Sequence, residues 1–306
     1  MNKKILLYYK YVSIPNPQEI KTWQQVLCQD AGLTGRIILA TEGINGTVYG
    51  TSQAIQAYID AMNNHDLFKN IDFKDSVVNG DYEYFTGLRI VIKPEIVSLG
   101  IPAEKLTTEQ AGQHLTPQQA HELIANNPDL VLLDGRNYYE AKIGTFKNAI
   151  TPKIEHFRDF PEYIDQNLEQ FKDKEVLMFC TGGIRCERAS AYLNTKNIAK
   201  KVYQIEGGIH RYIEQYPDGY FRGKNYVFDA RIATPVNNDI VGRCDICTTA
   251  CDDYTNCQNA LCNKQFLSCP ACITQLNNCC SQDCYTLISS QQVPKRPYRP
   301  KVNPEI

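Results

Sequence analysis

Apolar and polar residues over the first 95 positions alternate in a way that predicts strands and helices in the order βαββαβ. The predicted strands cover residues 5–12, 36–49 (two short strands) and 88–92. We predict a tight turn at Asn45-Gly46 between the two short strands. The predicted helices are residues 19–30, which end before Gly32, and a segment that Ser52 caps. This order is typical of a ferredoxin-like α+β domain over residues 1–95, for which we expect a scaffold or docking role.

The pattern changes after residue 95. Residues 96–115 have little periodicity and predict a linker, and residues 116–239 predict an α/β domain whose first helix begins at Thr116-Pro117. Apolar runs predict buried strands over residues 129–134, 176–179 and 201–205. Because helices alternate with these strands, the sheet is predicted to be mostly parallel. We expect Asp134, Cys180 and Glu206, which stand at strand ends, to meet at one sheet edge.

The second of these strands, residues 176–179, leads into a glycine-rich loop that opens with a cysteine and closes at the start of a helix. This cysteine loop consists of Cys180, Thr181, Gly182, Gly183, Ile184 and Arg185. Such a turn directs several backbone N–H groups to one point, where the helix dipole is positive. A thiol there loses its proton readily, and the thiolate is the nucleophile. The segment therefore predicts an enzyme with Cys180 as its catalytic nucleophile.

Three residues near this loop are candidates for supporting roles. Cys186, at the helix start, is either a second redox thiol or a residue that packs the helix onto the sheet. Asp134 and Arg136 follow the preceding strand and are expected to form a charge-assisted pair. That pair either orients the cysteine loop or has a purely structural role, and we favour the structural role.

Composition limits the class of protein. The chain has 306 residues, 43% of them hydrophobic and 22% charged, which fits a globular protein of two or three domains. Its net charge of −2 gives no global nucleic-acid signature, so we expect no DNA partner, and RNA binding would need a local basic surface. We find no signal peptide and no apolar run long enough to cross a membrane, which predicts a cytoplasmic protein.

Ten of the thirteen cysteines lie within residues 244–284, which predicts a small cysteine-rich module over residues 240–306. In a reducing compartment such a cluster is typical of metal binding rather than disulfides. Two Cys-x-x-Cys pairs, 21 residues apart, have the spacing of a structural zinc site: Cys244, Cys247, Cys269 and Cys272. The other six are open between a second site, disulfides and free thiols. An iron–sulfur cluster is the less favoured alternative.

The module ends in a basic, proline-rich tail over residues 293–301, for which we expect an extended and mobile conformation. This tail belongs to a set of basic residues that are candidates for phosphate contacts, although residues of this kind are more often solvated surface charges. The others are Lys3, Lys4, Arg36, Arg89 and Lys93.

The central residues resemble the rhodanese-like domain. The similarity rests on Asp134-Gly135-Arg136, on residues 143–150, on the cysteine loop and on the glycine turn Glu206-Gly207-Gly208-Ile209. The resemblance implies a sulfurtransferase that carries a persulfide on Cys180.

Further segments resemble the oxygen-dependent tRNA uridine hydroxylase family. They are Cys180 to Glu187, residues 143–149, residues 157–163, residues 93–100 and the cysteine-rich end. The resemblance covers nearly the whole chain and implies the same three-domain order. It also implies conversion of the wobble uridine in a tRNA anticodon loop to 5-hydroxyuridine, with molecular oxygen as co-substrate and Cys180 as the essential residue.

We recognise no binding motif for an organic cofactor, so oxygen activation needs its own explanation. Our hypothesis is that Cys180 adds to C6 of uracil and leaves an enolate at C5 that reacts with oxygen. Loop N–H groups and Arg185 would stabilise the developing charge.

Two other functions remain open at this point. The first is sulfur transfer through a persulfide on Cys180, and the second is a non-catalytic RNA-binding or zinc-mediated interaction protein. The intact cysteine, the glycine pair and Arg185 argue against the second.

Overall fold

A computed structural model of the chain describes residues 2–78 and 84–297. Its amino-terminal part is a five-stranded sheet with two helices. These elements are β1 (Lys3–Tyr11), α1 (Pro17–Asp30), β2 (Thr34–Ala40), β3 (Gly43–Thr51), α2 (Ser52–Asn64), β4 (Lys74–Val78) and β5 (Leu88–Ile92). The strand order is β4-β1-β3-β2-β5, in which β5 runs parallel to β2 and the other neighbours are antiparallel. The ferredoxin-like prediction is confirmed, with β5 as one strand more than that fold requires.

Two local predictions in this domain are wrong. Asn45-Gly46 is not a turn: it lies inside β3, where Gly46 is paired with Tyr8, and the chain reverses at residues 41–42 instead. Gly46 is needed for packing, because a Cβ there would lie 2.2 Å from the Tyr8 ring. The cap of α2 is Thr51 rather than Ser52, since the Ala54 N–H donates to Thr51 Oγ1 at 3.2 Å.

The closing strand of the predicted βαββαβ order is also different. Residues 88–92 do form a strand, but the one that completes the ferredoxin-like sheet beside β1 is β4, which the sequence pattern did not reveal. Within β4 the side chain of Lys74 is buried. A lysine at an inward position conceals the apolar alternation from which strands are predicted.

The central domain contains two sheets. Its elements are β6 (Gln113–Leu115), α3 (Pro117–Asn126), β7 (Val131–Asp134), α4 (Tyr138–Ala141), β8 (Gly144–Phe146), α5 (Phe160–Gln166), β9 (Glu175–Phe179), α6 (Ile184–Thr195), β10 (Lys201–Ile205), α7 (Gly208–Gln215), β11 (Phe221–Tyr226) and β12 (Ala233–Pro235). The order β6-β10-β9-β7 is parallel throughout, which confirms the predicted parallel sheet. A capping box between Thr116 and Gln119 starts α3 where expected. The antiparallel sheet β12-β11-β8 was not predicted.

The segment predicted as a linker is packed against its neighbours. Strand β6, at its end, pairs with β10 and so lies in the parallel sheet. Ile96, Leu99 and Leu106 are buried, and the latter two join the core around α5 and α6. Glycine and proline therefore indicate irregular backbone here, without indicating a loose connection.

The cysteine-rich module is built from short elements, β13 (Tyr254–Asn256), β14 (Gln265–Leu267), α8 (Pro270–Gln275) and α9 (Gln282–Ser289). The predicted mobile tail is docked at its start, where the N–H groups of Ala260 and Arg296 donate to Pro294 and Gln258. The rest of that tail, residues 298–301, lies outside the described residues. Among the described residues, no helix is long and apolar enough to cross a membrane.

Buried contacts join the amino-terminal domain to the cysteine-loop helix α6. Arg188 on α6 is 1% exposed and forms an ion pair with Glu42. It also donates to the Ile101 carbonyl in the segment between the domains. Because a buried guanidinium is costly unless its partners stay in place, this contact fixes the amino-terminal sheet against α6.

Candidate active site

Strand β9 delivers Cys180 to the carboxyl edge of the parallel sheet, and glycines shape the loop that follows. Gly183 has a φ of +101°, and its N–H donates to Cys180 Sγ at 3.2 Å. The glycine turn after β10 supports the loop from below, because Ile209 N–H donates to the Cys180 carbonyl at 2.9 Å. A Cβ on Gly208 would lie 2.4 Å from that carbonyl oxygen. Both glycine turns are therefore required for the shape of the site.

The surroundings of Cys180 favour the thiolate. Burial by itself raises the pKa of this fully buried thiol, but three contacts outweigh it. A hydrogen bond from the Cys186 thiol, the charge of Arg185 and the backbone N–H groups of Cys186 and Arg185 lower the pKa of Cys180 to about 6. Most Cys180 side chains are thus ionised at neutral pH, as the loop chemistry predicts.

Arg185 is held in place by Glu140, a residue that the sequence analysis missed. The guanidinium donates through both Nη atoms to the two carboxylate oxygens of Glu140, and Nη2 also donates to Thr181 Oγ1 at 3.3 Å. Glu140 is fully buried on α4, 45 residues before Arg185. The pair fixes a positive charge beside Cys180 without exposing it to water.

The pair formed by Asp134 and Arg136 has other partners. Arg136 donates to Asp134 at 2.9 and 2.7 Å and to the Gly144 carbonyl at 2.6 Å, and Thr145 also donates to Asp134. Among the contacts of the described residues, neither side chain bonds to the cysteine loop. The pair instead ties the end of β7 to β8, which is the structural role that the sequence favoured.

The ends of β7, β9 and β10, which precede Gly135, Cys180 and Glu206, lie at the same edge of the parallel sheet, as expected. Gly135, next to Asp134, donates its N–H to the Phe179 carbonyl at 2.8 Å, so the ends of β7 and β9 adjoin. Glu206 follows β10 and is exposed, and the turn that it begins contacts the loop, because Ile209 N–H donates to the Cys180 carbonyl at 2.9 Å. The same turn also contacts Thr181, because His210 N–H donates to the Thr181 carbonyl at 3.0 Å.

Cys186 is fully buried in the first turn of α6, against the Cys180 thiolate. Burial, the hydrogen bond to Cys180 and the Cys180 charge raise the pKa of Cys186 well above its ordinary value. It therefore remains a thiol and donates a hydrogen bond.

Two tyrosines of the amino-terminal domain cover the cysteine loop. Tyr9 on β1 donates through its hydroxyl to Glu187 at 3.1 Å, and Tyr11 donates to the Ile184 carbonyl at 3.4 Å. The Tyr9 hydroxyl lies so close to Gly183 that a Cβ there would be 2.7 Å away. Gly182, by contrast, faces open space. The amino-terminal domain therefore closes one side of the loop and leaves the side at Gly182 open.

A cavity of about 320 Å³ lies beside the loop, between the amino-terminal sheet, α7 and the β11–β12 hairpin. Thr181 is the cysteine-loop residue in its wall, and the wall also contains His210, Asn225 and Arg231. The cavity is of the size of ordinary small-molecule pockets.

The basic residues predicted as candidates for phosphate contacts have different surroundings in the structure. Lys3 lies over the Tyr49 ring and Lys4 forms an ion pair with Asp75. Arg36 on β2 and Arg89 on β5 are exposed and directly paired in register. They form a small basic surface at the edge of the amino-terminal sheet.

The four cysteines with zinc-like spacing come together in the third module. The Sγ atoms of Cys244, Cys247, Cys269 and Cys272, here called the first tetrad, all lie within 4.8 Å of one another. No disulfide is formed among the described cysteines. Four sulfurs at this separation have the arrangement of a tetrahedral metal site.

The first tetrad lies next to the helix that carries Glu140. Asp245, which follows Cys244, forms an ion pair with Lys142 just beyond α4. The hydroxyl of Tyr254 donates to the Tyr139 carbonyl within α4 at 2.6 Å. The cysteine-rich module thus contacts both ends of the short helix that positions Arg185 through Glu140.

Comparison with known proteins agrees with this division of the chain. Family models match three segments: UPF0176 acylphosphatase like domain at residues 3–96, Rhodanese-like domain at 116–215 and Rhodanase C-terminal at 222–285. A protein of Aster yellows witches'-broom phytoplasma, named tRNA uridine(34) hydroxylase, is 41% identical over 86% of each chain. A protein of Cytophaga hutchinsonii with the same name is 40% identical over 92% of this chain and 89% of its own.

Proposed function

The chain belongs to the tRNA uridine(34) hydroxylase family, and from this premise we propose that it hydroxylates C5 of the wobble uridine in tRNA. The observation that carries the proposal is the Cys180 thiol, whose pKa is about 6 within a loop of converging N–H groups. A thiolate is the nucleophile that an electron-poor pyrimidine ring accepts at C6.

The roles of the loop residues follow from this addition. The Cys180 sulfur forms a bond to C6, and the electron pair of the C5–C6 double bond moves to C5 and O4 as an enolate. The Arg185 guanidinium, held by Glu140, supplies positive charge for that enolate together with the loop N–H groups. Molecular oxygen takes up the electron pair at C5. One oxygen atom stays on C5, and a two-electron reductant of the thiol class carries the other away as water.

Completion of the reaction requires loss of the proton on C5 and departure of Cys180 from C6, which restores the double bond. Because Cys186 stays protonated, it stabilises the departing Cys180 thiolate by the same hydrogen bond that lowers the Cys180 pKa. We assign Cys186 this positioning role.

We propose that the anticodon loop of tRNA approaches from the open side of the cysteine loop, at Gly182. An unpaired anticodon base can be extruded at little cost, which suits a nucleophile that lies below the surface. We further propose a cytoplasmic location, because a tRNA substrate is found there.

We also propose that the first tetrad holds a structural Zn²⁺ ion. Cys₄ coordination with two Cys-x-x-Cys pairs is typical of zinc. The ion would keep Asp245 and Tyr254 in contact with α4, and would thereby support Glu140 and Arg185.

The test is nucleoside mass spectrometry of unmodified tRNA incubated with the full-length protein, a thiol reductant and ¹⁸O₂. We expect 5-hydroxyuridine that carries ¹⁸O, and none with Cys180→Ser. Product labelled from H₂¹⁸O instead would contradict oxygen as the co-substrate. A Cys180-dependent covalent complex with tRNA containing 5-fluorouridine tests the addition to C6; without such a complex, this step is wrong.

Sulfur transfer is the second candidate, favoured by the Rhodanese-like match over residues 116–215. Transfer of sulfur from thiosulfate to cyanide at a rate above that of tRNA hydroxylation would support it. A third possibility, non-catalytic RNA binding, would be supported by a Cys180 that iodoacetamide does not modify at neutral pH.

A further inference from the structure

Four more cysteines of the carboxyl-terminal module meet away from the first tetrad. They are Cys257, Cys262, Cys280 and Cys284, here called the second tetrad, and their Sγ atoms also lie within 4.8 Å of one another. Their spacing in sequence is Cys-x₄-Cys and Cys-x₃-Cys, which is not the Cys-x-x-Cys pattern from which the first tetrad was predicted. We propose that the second tetrad is a second tetrahedral metal site, specific for Zn²⁺.

The distances between sulfur atoms support a metal and argue against disulfides. Cys262 Sγ lies 3.7 Å from Cys280 Sγ, which lies 3.9 Å from Cys284 Sγ. Zn–S bonds of about 2.3 Å at tetrahedral angles place sulfurs about 3.8 Å apart. A disulfide requires about 2.05 Å. The sulfurs are therefore at the separation that a shared zinc ion imposes.

Surrounding groups match those expected around metal-bound thiolates. Asn259 is 5% exposed and donates through Nδ2 to Cys284 Sγ at 3.5 Å. The guanidinium of Arg296 donates to the Cys257 carbonyl, so a positive charge lies beside the loop of ligands. Such outer partners orient ligands and offset the negative charge of four thiolates around a divalent ion. Cys257 and Cys284 are buried, which excludes water from one side of the site.

The second tetrad would stabilise a different part of the protein from the first. It joins the loop at residues 257–262 to the start of α9, where Ser281 caps the helix. The docked tail contacts the same loop. Loss of this metal should therefore release α9 and the tail, whereas loss of the first should disturb α4.

The experiment measures metal in the full-length protein by native mass spectrometry and elemental analysis. We expect two Zn²⁺ per wild-type chain and one in both the Cys262→Ser/Cys284→Ser and the matched Cys247→Ser/Cys272→Ser double variants. A Cys279→Ala variant, which removes a neighbouring cysteine outside the tetrads, should keep two. One Zn²⁺ in the wild type that survives in Cys262→Ser/Cys284→Ser would overturn the proposal, and so would a disulfide within the second tetrad. Iron as the second metal would overturn its assignment to zinc.

A separate observation concerns the cavity beside Thr181. Asn225 on β11 is 1% exposed and lines this cavity, and its Oδ1 atom has no hydrogen-bond partner among the residues that the structure describes. His210 lines the same cavity, with Nδ1 3.1 Å from Glu214 Oε1 but without hydrogen-bond geometry. A buried acceptor without a partner is costly, which indicates that a ligand supplies the missing donor.

From these atoms we infer that the cavity receives the target pyrimidine base and that Asn225 accepts a hydrogen bond from N3–H of uracil. This inference rests on the proposed function. Cytosine has no proton on N3, so an acceptor at this position discriminates between the two bases. The wall of the cavity includes Thr181, the residue after Cys180, so a base bound there would contact the cysteine loop. Asn225 would thus act as a specificity residue.

The test compares binding of two anticodon stem-loop RNAs, one with uridine and one with cytidine at the wobble position. We expect the wild type to prefer uridine by about tenfold, Asn225→Leu to lose that preference, and Asn126→Leu, at an exposed position at the end of α3 outside the cavity, to keep it. Retained preference in Asn225→Leu, or equal binding of both RNAs by the wild type, would overturn the inference. Failure of the wild type to form 5-hydroxyuridine would refute the proposed function instead, and this binding readout does not depend on it.

Discussion

Cys180 and the cysteines of the two tetrads are the same residue type in contrasting electrostatic environments. Around Cys180 the protein itself supplies the compensating groups, namely Gly183 N–H, the Cys186 thiol and the Arg185 guanidinium. In each tetrad four sulfurs lie within 4.8 Å of one another, an arrangement for which we propose a metal cation as the compensating charge. A thiolate that the protein stabilises stays free to react, whereas one that a metal neutralises is used to hold structure. The reactivity of a cysteine thiolate thus depends on whether protein groups or a metal ion compensate its negative charge.

The two tetrads also differ from each other. The first contacts α4, and through Glu140 and Arg185 it is connected to Cys180. The second includes the loop at residues 257–262, which contacts Pro294 and Arg296. Cys180, the first tetrad and the second tetrad therefore lie in three different settings, and substitutions can separate their effects on activity and stability.

The largest expected effect is that of Cys180→Ser. Because a serine hydroxyl is not ionised at neutral pH, hydroxylation of tRNA should fall by at least about 10³-fold. Nucleoside mass spectrometry measures the loss, and the zinc content should not change. Substantial activity in this variant would mean that Cys180 is not the nucleophile.

The next effect concerns the charge beside Cys180. Since the pKa of Cys180 is lowered to about 6, alkylation by iodoacetamide should rise with pH through 6 and level off above 7. Arg185→Gln removes one of the groups that lower this pKa, so the midpoint should move to higher pH and the rate at pH 7 should fall about tenfold. Arg185→Lys, which keeps the charge, is the matched control. An unchanged midpoint in Arg185→Gln would show that the loop N–H groups and Cys186 suffice.

Loss of the first tetrad and loss of the second should have different effects on the alkylation rate of Cys180. Cys247→Ser/Cys272→Ser should slow alkylation of Cys180 at pH 7 about threefold, because α4 and Glu140 lose their support. Cys262→Ser/Cys284→Ser should leave that rate within about 1.5-fold of the wild type, and each should lower Tm by several degrees. Equal slowing by both double variants would refute the distinction between the tetrads.

The smallest effect is expected for substitutions of Tyr9, which covers one side of the cysteine loop. Tyr9→Ala removes a ring that lies against Gly183, so iodoacetamide should reach Cys180 about two- to threefold faster. Tyr9→Phe, which loses only the hydroxyl bonded to Glu187, should have less effect. A slower reaction in Tyr9→Ala would show that the tyrosine orders the loop rather than blocking it.

Local patterns predicted much of this molecule. The parallel strands, the cysteine loop and the helix start at Thr116 depend on neighbouring residues, and the structure has them where expected. The predicted turn at Asn45-Gly46 failed because packing against Tyr8, rather than dihedral preference, explains Gly46. Strand β4 was missed because Lys74 is buried within it.

The sequence by itself predicted Cys180 as the nucleophile and determined the position of its loop and of the first tetrad, since each lies within short segments of regular spacing. Only the tertiary structure decided what surrounds them. Glu140 is 45 residues from Arg185, and Tyr9 is 178 residues from Glu187. The second tetrad joins cysteines with irregular spacing. These contacts arise from how domains pack, and packing brings together residues whose separation in sequence carries no periodic signal.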